Sequence, residues 1–411
     1  MVVTGMGLVT PLGIGRAAFA RNLFAGGCGI RAIEGFDTAA FKSHLGGEVG
    51  NFSPADFIAP RTLRRMDRLS QMVTASACMA LDDAGVDLTA ADRSRLGVVM
   101  GTAFGATDVA AQFASTLFTE GPRRVNPILV PNTVMNAPAG HAAIELGLRG
   151  INTTLNHREA SAESAIAYAA SQIQHGRTDL LLAGGGDILS PFLFTVLERF
   201  MALSPQDGAQ EQARPFDRQR NGPVAGEGVG LLCLEALEPA RSRGAAIICE
   251  IAGWGMSSAP APANDWPDNP AGPLRALHSA AAMANVCPDN IDTVYAAASG
   301  GIKSDRLEAQ ALEQFFKGDR KPVVTAIKGA LGENFASGGF RAAAMALSIQ
   351  DGIVPPTLGL RSPMVALDVV QTKSRKMTVK HGLINACASG GTFAALIFAK
   401  MSPQDRTPDL R

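Results

Sequence analysis

Two segments of this sequence combine helical spacing with a high density of alanine and serine. Residues 70–84 (SQMVTASACMALDDA) and residues 160–174 (ASAESAIAYAASQIQ) both show this pattern. Helices rich in small side chains typically lie buried between layers, because small side chains let two backbones approach closely. Short apolar runs before, between and after these segments have the composition of buried strands. The alternation predicts an α/β fold with candidate strands at Val2–Thr4, Leu96–Met100, Asp179–Ala183, Gly230–Leu234, Thr293–Ala296, Lys380–Ile384 and Thr392–Phe398.

Two strand ends in the chain resemble each other. One is LLLAGGGD (180–187) and the other is GLINACASGG (382–391), and each is an apolar strand that runs into glycine. This internal similarity indicates two related α/β halves. The last ten residues are polar and contain two prolines, so we expect them to form a frayed tail.

The charge balance excludes several classes of protein. The chain has 37 Lys and Arg residues against 37 Asp and Glu residues. A main partner that is nucleic acid or an anionic membrane surface requires a basic excess, which this chain lacks. One charge-free stretch of near-membrane length, residues 382–399, contains Asn385, Ser389, paired glycines and Thr392. That composition predicts strand-turn-strand rather than a spanning helix, so we expect neither a nucleic-acid partner nor a membrane span.

The cysteines form none of the common metal-binding patterns. Six cysteines are spread over 411 residues without a C-x-x-C pair. Cysteines without a pairing pattern are typically buried free thiols of proteins in a reducing cytoplasm. The N-terminus also lacks the basic region of a secretory signal. The sequence also lacks glycine-rich phosphate loops, the H-E-x-x-H zinc motif and the G-x-S-x-G nucleophile motif. We therefore expect a cytoplasmic protein without a metal or a bound cofactor.

Longer segments over nearly the whole chain carry a family signal. They are VVTGMGLVTPLG (2–13), RRMDRLSQMVTASACMALDDAG (64–85), GVVMGTAFG (97–105), NPILVPNTVMNAPAGHAAIELGLRG (126–150), ARPFDRQRNGPVAGEGVGLLCLEALEPARSRGA (213–245) and SGGTFAALIF (389–398). In this order the segments resemble the β-ketoacyl-acyl-carrier-protein synthases, or ketosynthases, of fatty acid and type II polyketide synthesis. The resemblance implies the thiolase fold, a five-layered αβαβα arrangement of two pseudo-repeated halves that dimerises through its central strands. We place the N-terminal half at residues 1–240 and the C-terminal half at residues 241–411, packed as one compact unit.

The resemblance also assigns the positions of the reactive groups. In the family, a nucleophilic Cys begins a buried helix, where the helix N-terminus lowers the thiol pKa and two backbone N–H groups form an oxyanion hole. Two His residues donate hydrogen bonds to the enolate. In this sequence Glu159 stands at the Cys position, while Ala297 and Glu333 stand at the two His positions. The family residues Asp305, Glu308 and Lys328 are retained, and the phenylalanine-rich gate before the last strand is replaced by Ala386, Cys387, Ala388 and Ser389.

These replacements predict a chain that does not catalyse condensation alone, although its family is one of acyltransferases. A carboxylate is a far weaker acyl acceptor than a thiolate, and the anhydride it would form hydrolyses. An ionised Glu333 about 4 Å from a developing enolate would oppose it by about 4 kcal/mol at an effective dielectric of 20, close to three decades in rate. Glu159 can occupy the helix N-terminus with a stabilisation of ~0.3–1 kcal/mol, with His157, Arg158 and Lys328 as candidate counter-charges. The carboxylates either fill a dead pocket with salt bridges or share a proton and perform acid–base chemistry such as thioester hydrolysis.

The resemblance implies a specific role for a chain without these reactive groups. Type II polyketide systems pair an active ketosynthase with a similar subunit that lacks the Cys, the chain-length factor, and the growing chain runs along the interface between them. We therefore expect a chain-length factor of a polyketide system, a polyene-forming one among the candidates. Its partners would be a Cys-His-His ketosynthase in a heterodimer and, through that subunit, an acyl carrier protein. Residues 104–118 (FGATDVAAQFASTLF) match the family segment at the interface and pocket floor. Either they shape the tunnel or they are ordinary interface packing; the candidates are Ala106, Thr107, Ala110, Ala111, Phe113 and Phe118.

Two other functions stay open from the sequence. The first is a homodimeric hydrolase, or another acyl-processing enzyme, that has repurposed Glu159 and Glu333 for acid–base chemistry. The second is a protein that only docks an acyl carrier protein through a basic cluster, although such a cluster also fits a solvated helix start. The cluster consists of Arg61, Arg64, Arg65 and Arg68.

Overall fold

The computed structural model describes residues 1–402, so most of the expected tail lies outside the described residues. The first part of the chain alternates strands and helices as the sequence predicts. Its elements are β1 (Val2–Thr10), β2 (Gly13–Ile14), α1 (Arg16–Phe24), β3 (Arg31–Ala32), β4 (Leu45–Gly46), α2 (Pro60–Leu63), α3 (Arg68–Asp83), β5 (Leu96–Gly101), α4 (Thr107–Glu120), α5 (Ala137–Leu146), β6 (Asn152–Leu155), α6 (Ser161–Gln174), β7 (Leu180–Asp187), α7 (Pro191–Arg199), β8 (Gly228–Glu235) and α8 (Leu237–Ser242).

The second part of the chain begins with a long strand and repeats this alternation. Its elements are β9 (Cys249–Ser258), α9 (Ala271–Ala284), β10 (Thr293–Tyr295), α10 (Ile302–Phe315), β11 (Val323–Thr325), α11 (Lys328–Leu331), α12 (Gly338–Asp351), β12 (Ile353–Val354), β13 (Asp368–Val369), β14 (Arg375–Lys376), β15 (His381–Ala388) and β16 (Thr392–Ala399).

One large sheet contains most of the strands in the described part of the chain. Its strand order is β6-β5-β7-β8-β1-β9-β16-β15-β10-β11-β13. From β6 to β1 the successive pairings are parallel, parallel, antiparallel and antiparallel, and the same succession runs from β11 to β9. The two half-sheets meet only where Val2 pairs with Glu250 and Val3 pairs with Cys249. The predicted duplication is therefore confirmed in the strand order.

The helices form three layers around the two half-sheets. Helices α3 and α5 cover the outer face of the first half-sheet, and α9 and α10 cover that of the second. Helices α6 and α12 lie between the half-sheets and contact strands of both. Their residues are almost all buried, which explains why both are built from small side chains. The layers confirm the expected αβαβα thiolase fold.

The first strand of each half, β1 or β9, has a pair of glycines that lets an outer helix pack close to its backbone. In β1, a Cβ added at Gly5 or Gly7 would overlap the backbone of α3, at Ala80 and Ser76 respectively. In β9, Gly253 and Gly255 have the same relation to α9. Side chains two apart on a strand point to one face, so each pair clears a single strip for a helix. The repeated G-x-G is a sequence signature of the duplication.

Two further expectations can be compared with the structure. The charge-free stretch 382–399 forms the antiparallel hairpin of β15 and β16, as its composition predicts. No helix in residues 1–402 is both long and apolar enough to cross a membrane. The expectation that the cysteines are buried is wrong for Cys28 and Cys287, which are exposed. Both residues lie outside the helices and strands. In such segments the side chains do not alternate regularly between core and solvent, so burial cannot be inferred from their spacing.

Candidate functional site

The carboxylate of Glu159 lies at the beginning of helix α6. Residues 158–160 form a single 3-10 turn before the helix, with Arg158 at a φ of 51°. The Glu159 carboxylate accepts a hydrogen bond from the backbone N–H of Ser389, at 3.0 Å. The hydroxyl of Ser389 lies 3.1 Å from each of its two oxygens. A group from the start of a central helix is thereby bound to the turn between β15 and β16.

The surroundings of Glu159 favour its neutral form. The residue is partly exposed, but its carboxyl group is buried, and this burial is the main reason why the pKa of Glu159 is raised. The negative charge of Glu333 raises this pKa further, whereas backbone N–H groups and the charge of Lys328 lower it. Of the three expected counter-charges, Lys328 acts on Glu159 in this way. Arg158 instead donates to Ser389 and Asn264, and His157 bonds Ser164.

Glu333 and Lys328 form a buried ion pair. The Lys328 Nζ lies 2.5 Å from Glu333 Oε2, and the two side chains are 2% and 6% exposed. The other oxygen of Glu333 accepts the backbone N–H of Phe335 at 2.9 Å. Glu333 is therefore an acceptor held by neighbours on both oxygens, while an imidazole at this position would be a donor to an enolate. The expected opposition to an enolate stays a prediction, with the charge of Lys328 now offsetting part of it.

Ala297 is held by one of the two retained acidic residues. The Ala297 N–H donates to Glu308 Oε1 at 2.7 Å. Asp305 accepts the N–H groups of Phe216, Ser299 and Gly300, at 2.9 to 3.1 Å. Burial raises the pKa of Glu308 to about 7, against the opposing effects of the Ala297 N–H and of a nearby arginine. Asp305 and Glu308 thus fix the backbone of the loop in which the family's first His would stand.

Cys387 in the segment 386–389 does not replace the missing thiolate. Burial, aided by the charge of Glu308, raises the pKa of Cys387 well above its ordinary value, so the side chain is a thiol and not a reactive thiolate. Ala386 and Ala388 are buried against Ala160 at the start of α6. At the expected gate positions, Ala386 and Ala388 therefore pack against the start of α6, and Ser389 supplies the hydrogen bonds to Glu159.

Sequence reasoning missed a second pair of charges at this site. Glu163 lies one helical turn after Glu159 and forms an ion pair with Arg341 of α12, and both side chains are 0% exposed. Arg341 also donates to the backbone carbonyls of Tyr295 and Asn385. The usable signal was the occurrence of Glu and Arg within otherwise small or apolar helices, because such charges are buried only in pairs.

The tunnel candidates of α4 differ widely in exposure. Ala106 is buried, and Thr107, Ala110, Ala111 and Phe113 are partly buried, whereas Phe118 is 84% exposed. Phe118 belongs to an exposed set of apolar side chains on α4, on α5, and on the 3-10 turn 127–133 with its following residue; the turn contacts both helices. We call this set the apolar patch; it consists of Phe118, Ile128, Val130, Val134 and Ile144.

The expected basic cluster is only partly available to a partner. Arg61, Arg64 and Arg65 are exposed. Arg68 forms an ion pair with the buried Glu227 at 2.6 Å, while its own side chain stays 41% exposed. The docking cluster therefore stays a prediction, in which the charge of Arg68 is already paired within the molecule. As the first residue of α3, Arg68 points its guanidinium across to the β8 side of the molecule, a contact 159 residues away in sequence.

Within residues 1–402, no group of three or more His, Cys, Asp or Glu side chains could hold a metal ion. The arrangement around Glu159 contains carboxylates, one lysine and a serine hydroxyl. It can bind protons and hold ion pairs, and it offers neither a thiolate nor an imidazole at the three family positions.

Comparisons with known proteins agree with this fold. The sequence matches "Beta-ketoacyl synthase, N-terminal domain" over residues 1–240 and "Beta-ketoacyl synthase, C-terminal domain" over residues 248–361. It is 32% identical to the 3-oxoacyl-[acyl-carrier-protein] synthase 2 of Vibrio harveyi over 409 residues, which cover 98% of this chain and 99% of the relative. The corresponding protein of Staphylococcus aureus (strain COL) is 32% identical over 413 residues, with 97% and 98% covered.

Solved structures show the same relationship. The structure titled "The ishigamide ketosynthase/chain length factor" superposes with a TM-score of 0.90 at 31% identity, covering 98% of this chain and 99% of the matched one. A β-ketoacyl synthase from Burkholderia phymatum STM815 has a TM-score of 0.90 at 28% identity, with the same coverage. A type II polyketide ketosynthase in complex with its acyl-carrier protein, at 24% identity, shares the fold with a TM-score of 0.88. The chain therefore belongs to the β-ketoacyl synthase family.

Proposed function

We propose that this chain is a non-condensing, chain-length-factor subunit that pairs with an active ketosynthase in a type II polyketide system. The observation that carries the proposal is the occupation of the reactive positions. Glu159 is bound to the Ser389 N–H and Glu333 to Lys328, and the side chain of Ala297 has no hydrogen-bond donor. Claisen condensation requires a thiolate to carry the acyl chain, and this chain has none at that position.

The surface of the molecule supports a large partner. The apolar patch places bulky side chains in solvent, with Phe118 84% and Ile144 74% exposed. Strand β6 ends the strand order of the large sheet, so one of its edges is open among the described residues. An open strand edge and a neighbouring apolar patch are features that natural proteins usually cover. We assign this face to a ketosynthase with an intact Cys and two His, in an interface of at least ~2,000 Å².

Co-expression tests the proposal directly. The chain is produced with and without a ketosynthase of the same organism that retains the Cys and both His, and co-purification, oligomeric mass and condensation with malonyl-carrier protein are measured. We expect a 1:1 complex and condensation only when both chains are present. A partner that is equally soluble and active without this chain would refute the proposal.

Two substitutions sharpen the test. Phe118→Asp places a charge in the apolar patch, and we expect it to abolish co-purification. Phe192→Asp is the matched control, because Phe192 is also an exposed phenylalanine but lies on α7 outside the patch. Glu159→Ala within the complex should leave kcat within about twofold, since the proposal gives Glu159 no part in bond making.

The raised pKa of Glu159 favours one alternative, a homodimeric acyl hydrolase. In it, the Glu159 carboxylate would accept a proton from water as the water oxygen attacks the thioester carbonyl, and the thiol would leave with a proton. The chain alone would then hydrolyse acyl-carrier-protein thioesters, with a pH profile that disappears in Glu159→Gln. Absence of hydrolysis by the purified chain would eliminate this candidate.

A third candidate function, docking of an acyl carrier protein, is supported only by three exposed arginines. Arg61, Arg64 and Arg65 present three exposed positive charges that fit an acidic carrier protein. Charge reversal of these three residues should weaken carrier-protein binding to the chain alone if this role is correct, and should leave it unchanged if the carrier protein binds through the ketosynthase.

A further inference from the structure

Ser389 holds its hydroxyl group against the carboxylate of Glu159. Its Oγ lies 3.1 Å from each oxygen of that carboxylate, and its backbone N–H donates to Glu159 Oε2 at 3.0 Å. The three contacts fix the position of the hydroxyl group relative to the carboxylate. A hydroxyl group within hydrogen-bond reach of a base is the arrangement in which serine becomes a nucleophile. We call these two residues the serine–glutamate pair.

The surroundings of Glu159 suit its carboxylate to accept a proton. Burial is the main reason why the pKa of Glu159 is raised, and the charge of Glu333 raises it further. A carboxylate with a raised pKa holds a proton more strongly, and a general base is most effective when its pKa lies near the working pH. The Ser389 N–H and the charge of Lys328 lower this pKa, so they favour the ionised form that a base requires.

A positive charge lies on the other side of the hydroxyl group. The guanidinium of Arg158 donates to two neutral oxygens, Ser389 Oγ and Asn264 Oδ1, both at 3.3 Å. The backbone of Arg158 has a φ of 51°, in the left-handed region that side chains rarely adopt and that is enriched at functional sites. A guanidinium at this position can bind the negatively charged oxygen that forms when a hydroxyl group attacks a carbonyl group.

The serine–glutamate pair lies at the border between solvent and core. Arg158 and Asn264 are exposed, Glu159 is partly exposed, and Ser389 itself is 8% exposed. On the opposite side lies a buried cluster of small apolar side chains, Ala160, Ala386, Ala388 and Ala394. A substrate would therefore approach along Arg158 and meet the hydroxyl group, while the alanine cluster keeps water away from the core side.

We propose that Ser389 is the nucleophile and Glu159 the general base of an acyl-transfer site for activated esters and thioesters. Ser389 Oγ bonds to the carbonyl carbon while its proton passes to Glu159, and the electron pair of the C=O π bond moves to the oxygen that Arg158 binds. The bond from the carbonyl carbon to the leaving sulfur or oxygen then breaks, and the leaving thiol or alcohol takes the proton from Glu159. Water attacks the acyl-Ser389 ester with the same proton transfers, which releases the acid and restores the hydroxyl group.

This activity goes beyond the proposed function and differs from the hydrolase considered beside it. Pairing with a ketosynthase requires no bond making in this chain, and water activated by Glu159 alone leaves no group attached to the protein. The serine–glutamate pair instead forms a covalent acyl-serine. Condensation by the complex is a separate reaction, so its rate does not report on the pair. The covalent step is tested on the purified full chain without a ketosynthase.

The first test uses a fluorophosphonate, which phosphonylates activated serine hydroxyl groups with loss of fluoride, and identifies the modified peptide by mass spectrometry. We expect modification of Ser389, which Ser389→Ala abolishes and Glu159→Gln slows by about a hundredfold. Ser94 is the matched control, because its hydroxyl group lies 2.7 Å from a carboxylate oxygen of Asp92. Both of these residues are exposed, and their hydrogen bond lowers the pKa of Asp92, which makes it a weak base. Ser94 should therefore stay unmodified, and Ser94→Ala should react like the wild type.

Hydrolysis of p-nitrophenyl acetate supplies a second measurement. We expect a burst of p-nitrophenol, an acetyl group on Ser389 in acid-quenched samples, and a rate that rises with pH as Glu159 ionises. Ser389→Ala should remove the burst and the acetylated peptide, whereas Ser94→Ala should keep both.

Two results would overturn the proposal: a wild type whose Ser389 reacts with neither reagent, or a folded Ser389→Ala whose rates with both reagents stay within about twofold of the wild type. If Ser389→Ala or Glu159→Gln does not fold, Arg158→Asn supplies the measurement, because asparagine tolerates the left-handed backbone at this exposed position. It should slow the modification of Ser389 by about tenfold, and an unchanged rate would count against the proposal. Lost co-purification of the wild type with a ketosynthase would contradict the proposed function and leave the labelling result standing.

Discussion

Replacing Arg341 with methionine is expected to destabilise the protein strongly, because it leaves Glu163 buried without a counter-charge. Both side chains are fully buried, and Arg341 also satisfies the carbonyls of Tyr295 and Asn385. Removing one partner of a buried ion pair costs about 3–5 kcal/mol. With an unfolding entropy of about 2.1 cal/mol/K per residue, a chain of this length has about 0.9 kcal/mol/K, so Tm should fall by about 3–6 °C.

The pH dependence of this variant provides a sharper test. Burial already raises the pKa of Glu163, and loss of Arg341 removes the charge that opposes this shift. The folded variant then binds a proton that the unfolded chain releases above its own pKa of about 4.3. Its stability should therefore fall as pH rises, by up to about 1.4 kcal/mol per pH unit, until the folded pKa is passed.

Differential scanning fluorimetry from pH 5 to pH 8 measures both effects. The double variant Glu163→Gln/Arg341→Met removes both charges, so we expect it to regain most of the lost Tm and to lose the added pH dependence. A double variant as unstable as Arg341→Met, or a single variant with the Tm of the wild type, would refute the reasoning.

Three further predictions concern other parts of the structure. Lys328→Met should lower Tm by about 3–6 °C by the same mechanism, and adding Glu333→Gln should restore most of it; equal Tm values for the single and double variants would contradict this. Burial raises the pKa of Asp187 from 3.8 to about 6, so the wild type should lose about 3 kcal/mol relative to Asp187→Asn as pH rises from about 4 to about 6, measured by denaturant unfolding; a constant difference across that range would count against it. Gly5→Ala should lower the free energy of unfolding by about 1–3 kcal/mol, because the added Cβ overlaps the α3 backbone. Gly121→Ala meets no neighbour and is strained only by its positive φ. Thermal unfolding of both variants compares the cost of steric overlap with the cost of backbone strain.

Local features of the fold could be predicted well from the sequence. The helices at 70–84 and 160–174 and the hairpin at 382–399 depend on side-chain period and turn residues, which a single sequence displays. The position of Glu159 at a helix start also follows from local sequence.

The partners of the site residues could not be predicted. Glu159 and Ser389 are 230 residues apart, and Glu163 and Arg341 are 178 apart. Neither spacing follows from period or propensity, because both depend on how α6 and α12 pack between the half-sheets. The ion pair of Arg68 could not be predicted for the same reason, since its partner Glu227 is 159 residues away and directly precedes β8. The one sequence feature that indicated such pairs was the presence of charged residues in helices built from small side chains.

The contact between Glu159 and Ser389 has a consequence for how such a chain can change over evolutionary time. It ties the first half of the molecule to the second at the position that the family resemblance assigns to the reactive Cys, and the ion pair of Lys328 with Glu333 lies in the second half. Returning Cys to position 159 would leave the Ser389 N–H without its carboxylate, and returning His to position 333 would leave Lys328 buried without its anion. Each single reversion therefore passes through a less stable chain before any chemistry is regained. For the proposed non-condensing subunit, stability therefore opposes a return to the family residues one position at a time.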